Sequence, residues 1–581
     1  MENKVIKEKY IEKGERFKVT FSGYTHEGLA IAKINGKDRK GCEYTNFPLF
    51  VFGALDNEQG FVEITKMSKT YAYATMLRLF DENHSIYRNK PICPKYTECG
   101  GCNIMHMTYK GQLVFKEQMV KDTLKKLGGF TDLEIESVEG MSGKNLYYRN
   151  KVQVPVGCVK GKTICGFYKR ETHDIIPLNE CYIQTEYSTE IVKFTKNVLC
   201  EFGATGYNEK VDKGDIRHIL VRKNHDESEY MIVLIVKSID FMNKKDLNLA
   251  IDKIIKRYPK VVSIILNENS KKGNTILGEK CVTVYGKDTI TDTLCGCKFN
   301  IGAKSFYQVN HDQCEKLYTI AIEKAKLSSN DVVIDAYCGI GTIGIIASKY
   351  VKHVYGVEVV DEAIVNAKAN AILNNAKNIE FVCAKAEEQI IKWMENDVKP
   401  NVIFVDPPRK GCDKKFIDTV ISMKINKVIY VSCDPSTLAR DARMLVDNNY
   451  KVKFVKPVDL FPHTSHIETI VLLSHKSNNA KVKINLNFDN EKGKKLMKKV
   501  VENVDARKEP ESASYPEIKE YILNKYNVKV SSLYIAQTKA KYGIIERECY
   551  NKPKSENSRQ PKCTKEKEEM IVDALKHFKM I

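Results

Sequence analysis

Nowhere in the 581 residues do about 18 apolar positions run together, the length a helix needs to cross a bilayer. Membrane insertion is therefore not expected. The opening stretch MENKVIKEKYIEKGERF lacks the apolar core of an export signal, so the chain is expected in the reducing cytoplasm. Its 18 cysteines then do not read as a disulfide scaffold. Acidic charge is also short, with 74 Asp and Glu against 93 Lys and Arg and a net charge of +19. That balance favours a polyanionic partner. About half of the excess lies in residues 476–581, where 24 basic side chains meet 15 acidic ones.

Two residues carry the chemistry. Cys433 follows the apolar run VIYV in VIYVSCDPSTLARD, and Glu468 comes 35 positions later in FPHTSHIETIVLL. A buried core thiol and a solvated strand start are the ordinary readings of such residues. The polar, proline-containing DPSTLARD beside Cys433 belongs instead at the carboxyl end of a strand, where open α/β sheets place their ligands. A thiolate and a carboxylate together are what methylation of an unactivated pyrimidine demands. The thiolate adds to carbon 6 and makes carbon 5 nucleophilic, and a base then removes the surplus proton.

Upstream, DVVIDAYCGIGTIGIIASKY reads as a buried strand (332–336), a turn with Gly339, Gly341 and Gly344, and an apolar-periodic helix. Glu358 ends the next strand, HVYGVEV, 23 residues past Asp335, where a carboxylate meets a ribose hydroxyl pair. Such a turn also suits nicotinamide and flavin sites. NVIFVDPPRKG separates them: Asp406, Pro407, Pro408 and Arg409 follow a third strand, and the prolines stiffen a loop suited to a flat base.

A second constellation, CPKYTECGGC, sets Cys93, Cys99 and Cys102 in a C-x5-C-x2-C pattern beside two glycines. Three thiols this close read as metal or cluster ligands, and the spacing admits an iron–sulfur cluster or tetrahedral zinc. Cys158, Cys165, Cys295 and Cys297 show no such spacing and are expected as reduced core thiols.

The first unit, residues 10–72, shows alternating strands (RFKVTFSGY, LAIAKING, FPLFVFGAL, GFVEITKMS) between Gly and Asn turns, a small antiparallel β-barrel. It resembles the TRAM module, and Lys66, Lys69 and Tyr71 are candidate RNA contacts. A helix with Val120, Leu124 and Leu127 inward, closed by Gly128 and Gly129, opens a mostly β central region, residues 73–301. There Arg149, Lys151, Tyr168, Lys169 and Arg170 interleave charge with rings as single-stranded RNA binders do. The glycine-turn unit fills residues 302–475. Residues 476–581 form a basic extension with two helices joined by NVKV. The first is opened by a capping box of Ser514 and Glu517, and the second runs to Gly543. Together they resemble a helix-turn-helix with Ser531, Ser532, Gln537, Lys539 and Lys541 outward.

FYQVN, DAYCGIGTIG, VDPPRKG, SCDPSTLARD and FPHTSHIE, in this order, resemble the S-adenosylmethionine-dependent RNA uracil-5-methyltransferase family over about residues 10–475. Within it the chain is most similar to the branch acting on 23S ribosomal RNA. The resemblance implies a multidomain α/β chain with a barrel, an iron–sulfur domain and a Rossmann-like class I methyltransferase domain. It implies Cys433 as nucleophile and Glu468 as base. Gln308, Tyr337, Glu358 and Asp406 would contact S-adenosylmethionine, and Cys93, Cys99, Cys102 and Cys181 would hold a 4Fe-4S cluster. Phe306 is a stacking candidate. Asp434 stands where the family commonly has asparagine, which puts the charge beside the thiol in question. The expected partner is RNA, with no DNA and no membrane, and the chain is expected to act as a monomer. Alternatives are a transfer RNA substrate, a cytosine-5 or folate-dependent methyltransferase, and a non-catalytic RNA-binding or ribosome-assembly factor.

Overall fold

A computed structural model describes residues 10–80, 84–476, 515–542, 544, 563–578 and 580–581. The chain forms two compact units, Met1–Asn478 and Asn479–Ile581. Among the described residues no helix is long and apolar enough to cross a membrane.

The first unit opens with a closed barrel in the order Arg16–Tyr24, Ala30–Lys37, Glu43–Val51, Ala72–Leu79, Gln59–Met67. Alternation sends Phe17, Val19 and Phe21 inward while their neighbours stay in water, so one face of each strand supplies the core. The barrel's fifth strand begins at Ala72 and runs to Leu79, past residue 72, the expected end of the barrel.

The cysteine loop and the helix Tyr109–Gly128 follow, the helix ending on Gly129 in the left-handed conformation. Val120 and Leu124 are buried, but Leu127 is exposed, so the apolar stripe stops one turn earlier than expected. The central sheet has seven strands, in the order Lys280–Gly286, Val261–Glu268, Tyr230–Val236, Ile216–Lys223, Lys151–Val159, Lys162–Tyr168, Ile175–Pro177. Tyr230–Val236 is buried at every position, as a near-continuous apolar run requires. One face, with Ile232 and Leu234, packs on the helices Glu186–Glu201 and Lys244–Arg257. The other, with Met231, Val233 and Ile235, shares a single core with the next sheet, so the two regions fold as one body.

That next sheet runs Ile379–Cys383, His353–Glu358, Val332–Ala336, Val402–Val405, Lys427–Ser432, Glu468–His475, Tyr450–Val458. The first five are parallel and the last two antiparallel to their neighbours. Odd and even positions divide between two helical layers: Val333, Phe404 and Ile429 on one side, Ile334, Ile403 and Val428 on the other. Strand order reverses between Val332–Ala336 and Val402–Val405, which opens a crevice at their carboxyl ends.

The second unit contributes the helices Tyr515–Tyr526, Ser532–Lys541 and Lys565–His577 around Ile518, Ile522, Ile535, Ile571 and Leu575. The third helix was not foreseen. Ser531 caps the second by accepting from Tyr534 N–H, while Ser514 and Gly543 lie outside the described residues. Lys539, expected outward, is buried, its ammonium over the Tyr515 ring at 4.8 Å.

Candidate active site

The glycine turn takes its shape from three left-handed residues, Tyr337 (φ 63°), Gly339 (φ 55°) and Gly341 (φ 82°). Gly344 N–H donates to Asp335 Oδ2 at 2.7 Å. A side chain at Gly344 would bring Cβ within 2.8 Å of that oxygen, so only glycine lets the helix start this close to the strand. Glu358 accepts from Gly339 N–H (3.2 Å), Val359 N–H (2.8 Å) and Val360 N–H (3.1 Å), which fixes the carboxylate across the mouth of the turn. The Tyr337 ring leans on Phe416, 5.6 Å between centroids, so its aromatic face belongs to the helical layer and its backbone to the turn. Gln308 is buried, its carbonyl receiving Asn150 Nδ2 at 2.8 Å, and Phe306 two residues earlier is 64% exposed.

Sheet register brings Cys433 and Glu468 together. Ser432 pairs with Thr469 in the antiparallel ladder, so Cys433 and Glu468 are the next facing positions at its open end. By the strand period of two, Asp406, Cys433 and Glu468 leave the sheet on the same side as Phe404, Val431 and Ile470. Glu468 is 3% exposed and its Oε2 has no hydrogen-bond partner. Burial, and then the Asp406 charge, hold its carboxyl well above the usual range, and Arg409 opposes them. Asp406 is likewise raised by burial. Burial pushes the Cys433 thiol up to about 12, helped by Glu468 and Asp406 and opposed by Arg409. Arg409 is thus the cation both groups feel, a role its motif did not disclose. Asp434 caps the helix Pro435–Asp447, accepting from Ser436 N–H at 2.8 Å, with Pro435 in the first turn. The proline-containing stretch after Cys433 is therefore the start of a helix.

The loop before Glu468 is bound to the cysteine segment. Asn103 Nδ2 donates to Ser465 Oγ (3.0 Å) and Asn103 Oδ1 accepts from Ser465 N–H (2.8 Å). Gln112 Oε1 accepts from His463 N–H at 2.7 Å, and Lys116 Nζ reaches Asp459 Oδ1 at 2.5 Å, both side chains fully buried. Tyr148 OH adds a bond to Pro462 O at 3.1 Å. None of these partners stands out in the sequence; the adjacency of Asn103 to Cys102 is the sole hint.

Cys93, Cys99, Cys102 and Cys181 line one cavity of about 70 Å³. Burial raises Cys102, and the other three thiols raise it further, while Cys181 is pushed to about 11. Four thiols lining one cavity, with Cys102 raised by the other three, suit a cation that would take them as thiolates. Arg170, expected to grip RNA, instead donates to Cys99 O (3.0 Å) and Cys102 O (2.9 Å) and stacks on Phe52 at 3.9 Å, closing the cysteine loop onto the barrel. Lys151 is half-buried and pushed down to about 7 by burial and by Arg222 and Arg149, so it is a poor phosphate ligand. Arg149 bridges Gln184 and Asn310 through its backbone, between the cysteine cavity and the Gln308 segment. Lys66, Lys69 and Lys169 are exposed, while Tyr71 and Tyr168 are half-buried.

The family model described as tRNA (Uracil-5-)-methyltransferase matches residues 284–476. An uncharacterized RNA methyltransferase of Bacillus cereus is 43% identical over 465 residues, covering 80% of this chain and 97% of the relative. One of Clostridium tetani is 44% identical over 466 residues, with the same coverage. Among solved structures, a Pyrococcus abyssi tRNA (uracil-54, C5)-methyltransferase with S-adenosyl-L-homocysteine superposes at a TM-score of 0.60, 24% identical, covering 79% of this chain and 100% of its own. The fold is that of a methyltransferase. The chain belongs to the S-adenosylmethionine-dependent RNA uracil-5-methyltransferase family.

Proposed function

We propose that this chain methylates carbon 5 of a uridine in 23S ribosomal RNA, with Cys433 as nucleophile and Glu468 as base. The observation that carries this reading is the facing of Cys433 and Glu468 at the open end of one strand pair, beside Asp406 in the crevice of the sheet. The target uridine is turned out of its stack, and exposed Phe306 is positioned to stack on it. The Cys433 thiolate bonds to carbon 6, and the carbon 5–carbon 6 π electrons move to the ring carbonyl. S-adenosylmethionine supplies the methyl group, and Gln308, Glu358, Asp406 and the backbone at Tyr337 would hold it. A sulfonium suits a crevice where the Asp406 and Glu468 carboxyls act on one another. Once carbon 5 carries the methyl, Glu468 takes its proton, the double bond re-forms and the thiolate leaves. The unpartnered Oε2 of Glu468 is an oxygen available for that proton.

The four cysteines would hold a 4Fe-4S cluster as a fully ligated structural centre, and Arg170 fixes the loop that presents three of them. Lys66 and Lys69 on the barrel, with the basic extension, supply cations for phosphates. The test is incubation with S-adenosylmethionine and bulk RNA lacking 5-methyluridine, followed by mass-spectrometric mapping. Modification of 23S RNA is expected. Modification of transfer RNA alone would change the substrate, and full methylation by Cys433→Ala would overturn the enzyme mechanism.

A further inference from the structure

Outside the cysteine cavity, two imidazoles and a carboxylate meet where the central sheet joins the methyltransferase region. His225 lies on the turn between Ile216–Lys223 and Tyr230–Val236, while His311 and Asp312 open the helix His311–Ala325, just after Gln308. Asp312 Oδ1 is 3.5 Å from His225 Nδ1 and 3.7 Å from His311 Nδ1. Each of the three residues offers one ligand atom within 4.8 Å of those of the other two. Bonds of about 2.0–2.1 Å at a tetrahedral angle put zinc ligands about 3.3–3.4 Å apart, so the carboxylate stands nearly at ligand distance from both rings.

His311 supplies the independent observation. It is 7% exposed, and its Nε2 lies 2.7 Å from Thr293 O. A carbonyl only accepts, so that contact places the proton on Nε2 and leaves a bare lone pair on Nδ1 of the neutral ring. That Nδ1 is buried without a hydrogen-bond partner, on the side of the ring nearest Asp312 Oδ1. A lone pair removed from water and left unmatched is destabilising, so the buried nitrogen calls for a partner. A ring whose far nitrogen donates to a carbonyl while the near one waits is the arrangement of a metal-bound histidine.

We infer that His225, His311 and Asp312 form a site for a divalent transition metal of the zinc type, with three protein ligands and one position left to water. The rings are stacked at 3.9 Å with 19° between planes, so the half-exposed His225 ring turns out of the stack to converge on the ion. The metal ties the 224–229 turn, already anchored by His225 N–H to Asp292 Oδ1 at 2.9 Å, to the helix behind Gln308. It stands independently of the methyl-transfer reading.

The test uses the full chain with its cysteine site as isolated, dialysed against micromolar Zn²⁺. His225→Ala and Asp312→Asn alter exposed side chains and should fold. Wild type is expected to hold one more zinc per chain than either variant, and added Co²⁺ to give visible d–d bands without thiolate charge transfer that His225→Ala loses. Equal zinc counts in all three proteins, or cobalt bands unchanged in His225→Ala, would overturn the site.

Discussion

Asn103 and Ser465, 362 positions apart, hold each other by two hydrogen bonds, Nδ2 to Oγ at 3.0 Å and backbone N–H to Oδ1 at 2.8 Å. Asn103 follows the proposed cluster ligand Cys102, and Ser465 precedes the proposed base Glu468 by three residues, so the cysteine loop fixes where the base stands. Asn103→Ala removes both bonds and a third to Glu27 O at 2.7 Å. Turnover is expected to fall about tenfold, a loss of about 1.4 kcal/mol in positioning, while KM for S-adenosylmethionine stays within twofold. Steady-state kinetics at saturating RNA measure it, and a rise in that KM with turnover intact would contradict the coupling.

Lys116 and Asp459 form an ion pair whose side chains are both fully buried. Burial pulls the lysine down, and the Asp459 charge offsets this only in part. Lys116→Met leaves a carboxylate stranded and should cost about 3–5 kcal/mol. The double variant Lys116→Met, Asp459→Leu should regain more than half of that, because no charge remains to desolvate. Urea midpoints of the three proteins decide it.

Activity should climb with pH. The thiol of Cys433 is pushed to about 12, so it is mostly protonated near neutrality, and burial with the Asp406 charge raises the carboxyl of Glu468 in the same direction. Arg409 lowers both, so Arg409→Gln moves both upward and displaces the rise toward higher pH. A loss of about three- to tenfold at pH 7.5 is expected, shrinking as pH increases, since one unit of pKa corresponds to a factor of ten in the ionised fraction. A pH-independent loss would assign Arg409 to RNA binding alone.

The sequence made the methyltransferase strands readable because each is an apolar run closed by a chemically distinctive turn, as in VIFVDPP and VIYVSCDP. It could not show register. Glu468 meets Cys433 only because the strand Glu468–His475 inserts between Lys427–Ser432 and Tyr450–Val458, out of chain order. The bonds from Asn103, Gln112 and Lys116 were hidden because polar residues in loops and helices leave no periodic trace. Arg170 misled for the opposite reason. Its setting between charge and rings reads as an RNA contact, yet its guanidinium closes the cysteine loop. Lys539 misled because its aliphatic stem shares a helical face with Ile535, and its charge finds an aromatic ring rather than water.

The cysteine quartet predicts metal content. Protein purified without oxygen should be brown and carry about four iron and four sulfide per chain, as a Cys₄-ligated cluster requires, and Cys181→Ser should lose most of it. Elemental analysis giving one zinc and no iron at the quartet would replace the cluster with a tetrahedral site.

The covalent step is tested most directly by trapping it. Glu468→Ala, mixed with S-adenosylmethionine and substrate RNA, should accumulate a slow-migrating protein–RNA adduct on a denaturing gel, because carbon 5 keeps its proton and the Cys433 sulfur cannot leave. The adduct should vanish when Cys433→Ala is added to the same chain. A Glu468→Ala protein that turns over freely, or an adduct that survives loss of Cys433, would contradict the account.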